Sequence, residues 1–448
     1  MIFNKTKDIL NGRIPEQILL ITIPIAGTYL LQQLYQFIDY VVLGRFAGVE
    51  AMAAVGGSAT MIVNILLNII VGIATGLMIV VAQNYGRSDE DNVHEAVRTG
   101  MFISIVFSSI IAIITGIFGR KLLVFMDCPN DIIKPSLIYL LMNIAGLVPY
   151  AIYTFGMYVL RATGDTKISL IFTIIIAVVK VVLDVLLTGL FKMGVWGVAI
   201  ATFSSYLVCS AVVLVILNKT EFCYNYKFSE FGFNLYMLKQ IFKIGVPVAI
   251  QATVFTITNA LVSVKVNKFG TETVAAFAAY NNVDNFYWCF DNAIGSAILT
   301  IVGQNYGNKN MKRVKETFLH GIIVLLIGTL IIGGLIIAFG RNILFLFTTD
   351  NNVIETAYDA LKWMAITYPL YIMIETVSST IKGCGDATNS MIIAIFGVCI
   401  VRIVYLLVLD LNGLTSVVMS YPTSWAISSA IYLVYFLTNK KYKSSQNN

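Results

Sequence analysis

Apolar residues in this chain run in long unbroken stretches rather than in the alternation of strands. Twelve runs stand out, at about residues 16–43, 52–84, 93–119, 132–160, 167–190, 194–218, 238–266, 272–305, 314–339, 353–381, 388–410 and 413–438. Most exceed the ~20 residues a helix needs to cross a bilayer. A barrel would show short alternating segments. Continuous runs therefore predict an all-α polytopic membrane protein with twelve transmembrane helices. Gly, Pro, Asn and charge clusters punctuate them, among them "GRSDEDN", "DCPND", "ATGDTK", "GNKNMK" and "GCGDATN".

Composition agrees. Of 448 residues, 58% are hydrophobic and 12% charged, where a soluble chain would be about one-quarter charged. The mean hydropathy is +0.82. The first run shows no small-residue cleavage site and is read as the first span. Six scattered cysteines form no CxxC pair, which points away from a metal site and a disulfide framework.

Charge placement sets orientation. With a cytoplasmic N-terminus, nineteen of the thirty Lys and Arg fall on inside segments and nine on outside ones. The remaining two, Lys180 and Arg402, lie deep within spans. Both termini are expected in the cytoplasm. The +6 net charge reflects this placement and is not a nucleic-acid signal. The longest connection, residues 218–234, interleaves Phe and Tyr with Lys and Glu, which suits the headgroup layer.

The chain also repeats. Residues 81–100 align without a gap to residues 302–321, with eight of twenty identical at an offset of 221. "RATGDTK" falls opposite "KGCGDAT" at the same offset. Pro24 pairs with Pro247, and Pro149 with Pro369, at similar places in their runs. Two halves of six spans, each beginning inside, are parallel repeats. The expected organisation is an N-terminal lobe (1–217), a cytoplasmic interfacial linker (218–235) and a C-terminal lobe (236–448).

Chemistry is expected where ionisable groups enter spans, because they are expensive there. No GxxxxGK[ST] is present, and "HEAVR" lacks the second His of a zincin. No enzyme, cofactor or resident metal is predicted. Gln32, Gln36, Asp39 and Tyr40 form a polar stripe at helical spacing in the first span. Lys180 and Asp184 share one face of the fifth. They lie roughly 20 to 26 Å from the inner surface, counting ~1.5 Å per residue. Asp39, near the outer end of its span, lies at similar depth. Tight fixed ion pairing of Lys180 with Asp184 is the competing structural reading. In the second half, Asp284 and Asp291 share a face, Glu375 and Arg402 are a possible ion pair, and the seventh run offers Gln251, Thr258 and Asn259 but no acid. Tyr35, Tyr150, Tyr153, Tyr287 and Trp288 are the aromatics that could face a cavity and hold amphipathic cations. Core packing or an interfacial belt competes for each. Asp165 and Asp386 are expected to cap the helices after the two "GD" turns. Gln83 and Gln304 are expected to close the ends of the second and eighth spans.

Asp39 followed by "GRFAGVEAMAAVG", the "AQNYG" and "GQNYG" ends, and the "LRATGDTK" and "IKGCGDAT" turns resemble the multidrug and toxic compound extrusion (MATE) family over about residues 15–438. The pattern is closest to its archaeal and DNA-damage-inducible branches. The resemblance implies a V-shaped pair of six-helix lobes that exports amphipathic, often cationic compounds against protons or sodium ions. It also implies an ion site to which Asp39, Asp184 and Thr202 correspond, with Gln36 beside them. Those branches carry an Asn where this chain has Lys180. An ammonium there supplies the charge sodium would bring and removes an oxygen ligand. Proton coupling is therefore expected, with sodium at Asp39 and Asp184 as the alternative. Branches that bind a cation in the C-terminal lobe have an acid in the seventh span, and its absence here points to the N-terminal lobe. The expected protein is a monomeric, multi-pass plasma-membrane exporter of small amphipathic molecules. The alternatives are a lipid-linked oligosaccharide flippase of the same superfamily and a membrane-embedded lipid enzyme. The flippase should carry more cavity cations, and the enzyme a cluster around His94 or His320.

Overall fold

In a computed structural model the described residues are 9–46, 55, 57–129, 131–439 and 442, apart from the side chains of Tyr40 and Leu43. The Tyr40 side chain of the expected polar stripe, most of "GRFAGVEAMAAVG" and the terminal lysines at 5, 7, 440, 441 and 443 lie outside them. Among the described residues there is no strand.

Six spans make the first half. They are α1 (Ile14–Phe46), α2 (Ser58–Gly86), α3 (Glu90–Phe125), the pair α4 (Ile133–Ala145) and α5 (Leu147–Ala162), α6 (Thr166–Asp184) and α7 (Val195–Lys219). The second half has α8 (Leu235–Val266), α9 (Thr271–Gly307), α10 (Met311–Leu344), the pair α11 (Asn351–Thr367) and α12 (Ile372–Gly383), α13 (Ala387–Ala394) leading to α14 (Val401–Val408), and α15 (Gly413–Val418) with α16 (Ser420–Thr438).

Ten of these are long and apolar enough to cross a membrane singly, and α4–α5 makes an eleventh, bent by 45°. The tenth expected span is built of the shorter pieces α11 and α12, with a 3₁₀ turn at Tyr368–Leu370. Both interruptions occur where the repeat places a proline, near Pro149 and at Pro369. Proline lacks the N–H and crowds the carbonyl four residues back. The expected continuous fourth and tenth spans are thus each broken. A π-helical turn, Val185–Leu190, extends α6, and another, Ile395–Ile400, joins α13 to α14.

The helices that repeat in sequence repeat in burial. In the most apolar stretch of α2 and of α9, 67% and 72% of residues are buried, against 28% in α3 and 22% in α10. α2 and α9 therefore sit centrally in their halves, while α10 turns residues such as Leu330 and Ile331 outward. In membranes, small residues allow helices to approach closely. Gly72 and Gly76 of α2 do this against α8, where a Cβ on Gly76 would stand 2.8 Å from the Gly245 Cα.

The repeat also reproduces its turns. Ser88 and Lys309 both take φ of 58°. Asp89 accepts a hydrogen bond from the Asn92 backbone N–H, and Asn310 from that of Arg313, so each caps the following helix. Gly164 and Gly385 hold φ of 90° and 83°, the left-handed region that glycine tolerates. Asp165 and Asp386 do occupy N-cap positions, but neither side chain bonds its helix's backbone N–H groups. Asp386 instead accepts from the Tyr435 hydroxyl at 2.6 Å and from Asn389 at 2.9 Å.

By contacts the chain forms two compact units, one of Gly27–Ala249 and one of Lys7–Ala26 with Ile250–Asn448. Both divisions fall inside long helices, two residues past Pro24 and Pro247. The 218–234 connection packs on the first unit. Phe231 and Phe233 lie 5.1 and 4.8 Å from the Phe102 ring, and the Asn234 N–H donates to Thr99. Tyr224 and Tyr226 are buried while Phe228 faces outward.

Candidate functional site

Three helices of the first unit converge on one ammonium group. Asp39 comes from α1, Lys180 and Asp184 from successive turns of α6, and Thr202 from α7. Lys180 Nζ lies 2.8 Å from Asp39 Oδ1 and 3.2 Å from Asp184 Oδ2, and donates to Thr202 Oγ1 at 3.0 Å. An ammonium has three donors, and three oxygens surround this one. The Asp39 contact is an ion pair that lies off hydrogen-bonding geometry. Thr202 in turn donates to the Val198 carbonyl at 2.9 Å, which fixes its rotamer.

Burial is graded across the cluster. Asp184 is fully buried, Lys180 is 3% exposed and Asp39 is 19% exposed. Asp184 Oδ1 has no hydrogen-bond donor. Asp39 thus sits at the accessible edge and Asp184 at the closed end. Local packing explains how α6 and α7 come so close. The π-helical turn begins one residue after Asp184, and such turns recur at functional sites. Gly197 of α7 lies against it, where a Cβ would meet the Thr188 backbone nitrogen at 2.9 Å.

The cluster opens on a cavity of about 140 Å³ bounded by Tyr35, Gln36, Asp39, Lys180 and Thr202. Asn64, Tyr139, Asn143 and Tyr206 are among the other polar residues that line it. These four were not singled out in the sequence. Their signal was a polar or hydroxyl-bearing residue inside an apolar run, as at "MIVNILLN", which many structural residues share. Gln32 does not reach this cavity. Tyr150 stands behind it with its ring 5.0 Å from that of Tyr206, and Tyr153 is buried.

The second unit has its own cavity, of about 290 Å³, bounded by Asn259, Asp284, Trp288, Arg402, Tyr421 and Trp425, among others. Asp284 accepts from Trp288 Nε1 at 2.6 Å and from the Tyr368 hydroxyl at 2.5 Å. Tyr287 is buried and stacks on Tyr368 at 3.7 Å, away from this cavity. Asp291 and Gln251 are buried and each keeps a side-chain oxygen without a donor. The expected Glu375–Arg402 pair does not form. Glu375 accepts from Ser379 at 2.9 Å, while Arg402 donates to Asn259 and Ser424. Their helices present these groups to different neighbours, which spacing along the chain does not encode. Among the described residues no group of His, Cys, Asp and Glu has the arrangement to hold a metal ion.

A single family model, MatE, matches residues 24–186 and again residues 247–408. The "Probable multidrug resistance protein YoeA" of Bacillus subtilis is 26% identical over 438 residues, covering 93% of this chain and 92% of that protein. Two solved structures share the fold. A MOP superfamily transporter from Pyrococcus furiosus, described as having a binding pocket of reverse polarity that suggests a different function, superposes with a TM-score of 0.91. It is 19% identical and covers 99% of both chains. An outward-facing multidrug resistance MATE family transporter gives 0.90 at 19% identity, again covering 99% of both. The relatives are transporters, and the fold is that of a multi-pass membrane protein.

Proposed function

Because the chain belongs to the MatE family, whose members here carry multidrug-resistance names, we propose that it is a secondary-active exporter exchanging amphipathic cationic compounds for protons. It works as a monomer in the plasma membrane with both termini cytoplasmic. The two sequence repeats act as its lobes.

One observation carries the choice of ion. The Lys180 ammonium already occupies the position between Asp39 and Asp184, with Thr202 as its third oxygen. Sodium would need those same oxygens and would have to displace a covalently tethered cation. A proton needs only one carboxylate oxygen. With all three groups ionised the cluster holds one positive and two negative charges. Adding one proton makes it neutral, and the proton belongs to the cluster rather than to one residue.

A proton entering the cluster from the cavity side, where Asp39 lies, weakens the hold of the carboxylates on Lys180 and frees α1 to repack. A proton bound better in one lobe arrangement than in the other shifts the population between them. Pro24 supplies a place where α1 can bend. A cationic substrate and a proton then compete for the same negative charge.

The test is Asp39→Asn in proteoliposomes, following proton movement and substrate flux together. Coupled flux should fall at least tenfold while the purified protein stays folded. Wild-type coupling in that variant removes Asp39 from the mechanism.

A further inference from the structure

We infer that the cavity around Arg402 in the second unit is an anion-accepting subsite that takes the carboxylate of an aromatic molecule. This goes beyond the proton cycle at Asp39 and does not depend on it.

Arg402 is 4% exposed and lies within a span. Its guanidinium has five N–H donors. Nη1 donates to Asn259 Oδ1 at 2.9 Å and Nη2 to Ser424 Oγ at 3.3 Å, while Nε has no acceptor. The Tyr421 ring lies 4.0 Å away. All of these partners are neutral. No carboxylate among the described residues pairs with Arg402.

Lys180 bonds Thr202 across 22 residues, and Arg402 bonds Ser424 across 22 residues. Each cation also reaches the first helix of its half, at Asp39 in α1 and at Asn259 in α8. The two settings are alike in outline, and their charge balance differs. Lys180 has two carboxylates, whereas Arg402 has an amide and a hydroxyl. A buried cation without a counter-charge is costly, and neutral dipoles with one cation–π contact offset only part of that cost. An anion entering the cavity would supply the remainder.

The cavity fits such a guest. Its volume of about 290 Å³ admits a bicyclic acid. Trp288, Tyr371 and Trp425 form one aromatic wall, held by edge-to-face contacts of 4.9 to 5.7 Å. A planar guanidinium grips a carboxylate by two parallel hydrogen bonds, and aromatic walls favour a ring. Asp284 also borders the cavity, but its oxygens accept from Trp288 and Tyr368 rather than from Arg402, so the guest's carboxylate is taken at the Arg402 end.

The experiment compares 2-naphthoate with its neutral isostere 2-naphthamide on the purified full-length protein, by calorimetry and tryptophan fluorescence. Wild-type protein should bind the carboxylate about tenfold more tightly, the scale of one charge-assisted hydrogen-bond pair. Arg402→Gln should erase that preference, and Arg402→Lys should keep part of it. Asn259→Asp, a near-isosteric change that hands Arg402 an internal counter-ion, should erase it too if Arg402→Gln fails to fold. Equal affinity for the two compounds in wild-type protein overturns the inference. So does a preference that survives in folded Asn259→Asp or Arg402→Gln. The two readings fail separately, since the proton cycle is tested at Asp39 and this one at Arg402.

Discussion

Lys180 decides what its neighbours can do. Its ammonium stands between two carboxylates that would otherwise repel each other and offsets one of their two charges. Lys180→Asn should therefore change the ion as well as the stability. Removing one member of a buried ion pair costs about 3–5 kcal/mol, so the melting temperature should fall in sodium-free buffer. Added sodium should restore part of it, and sodium-driven efflux should appear. A variant whose stability and transport both ignore sodium contradicts this view of Lys180. Asp39, Lys180 and Asp184 could each be picked out from the chain, whereas their grouping with one another and with Thr202 came from the family resemblance. A carboxylate or ammonium in an apolar run is conspicuous, and the i, i+4 spacing of Lys180 and Asp184 put them on one face. The setting of Arg402 could not be read that way. Whether its helix turns it toward Glu375 or toward Asn259 depends on rotations about several helix axes, which apolar periodicity leaves loose when every face is apolar.

The spans themselves were legible as elements, and their breaks were less so. Proline is tolerated in membrane helices because neighbours re-satisfy the freed carbonyls, so Pro24 and Pro247 sit in continuous helices. The spans carrying Pro149 and Pro369 are interrupted instead. The same residue type gave opposite outcomes. Close helix contact makes a sharper test. At Gly76 an added methyl would meet backbone atoms of α8, the Gly245 nitrogen at 2.7 Å among them. Backbone cannot rotate aside, so Gly76→Ala should cost about 1–3 kcal/mol and lower the melting temperature in detergent. Gly116→Ala, on α3, meets nothing within 4 Å. It should be neutral or gain up to about 1 kcal/mol from helix propensity. Equal effects at the two positions would show that the α2–α8 contact is not tight.

The duplication governs the whole chain. It was visible as an identity pattern at an offset of 221. It reappears in paired caps at Asp89 and Asn310, paired turns at Ser88 and Lys309, and a family model that matches twice. The chemistry within the repeat has diverged. One unit surrounds its buried cation with acids, and the other surrounds it with neutral groups. That asymmetry lies in individual side chains, so the repeat alone did not announce it. Under the proposed function, ion coupling belongs to the first unit, and the second is left free for a different charge. The most direct test of the central claim is substrate efflux from proteoliposomes of wild-type protein under a proton gradient alone and a sodium gradient alone. A proton-coupled exporter will work under the first and stay silent under the second. Efflux driven by sodium with no proton gradient would contradict the role given to Lys180, and the proton assignment with it.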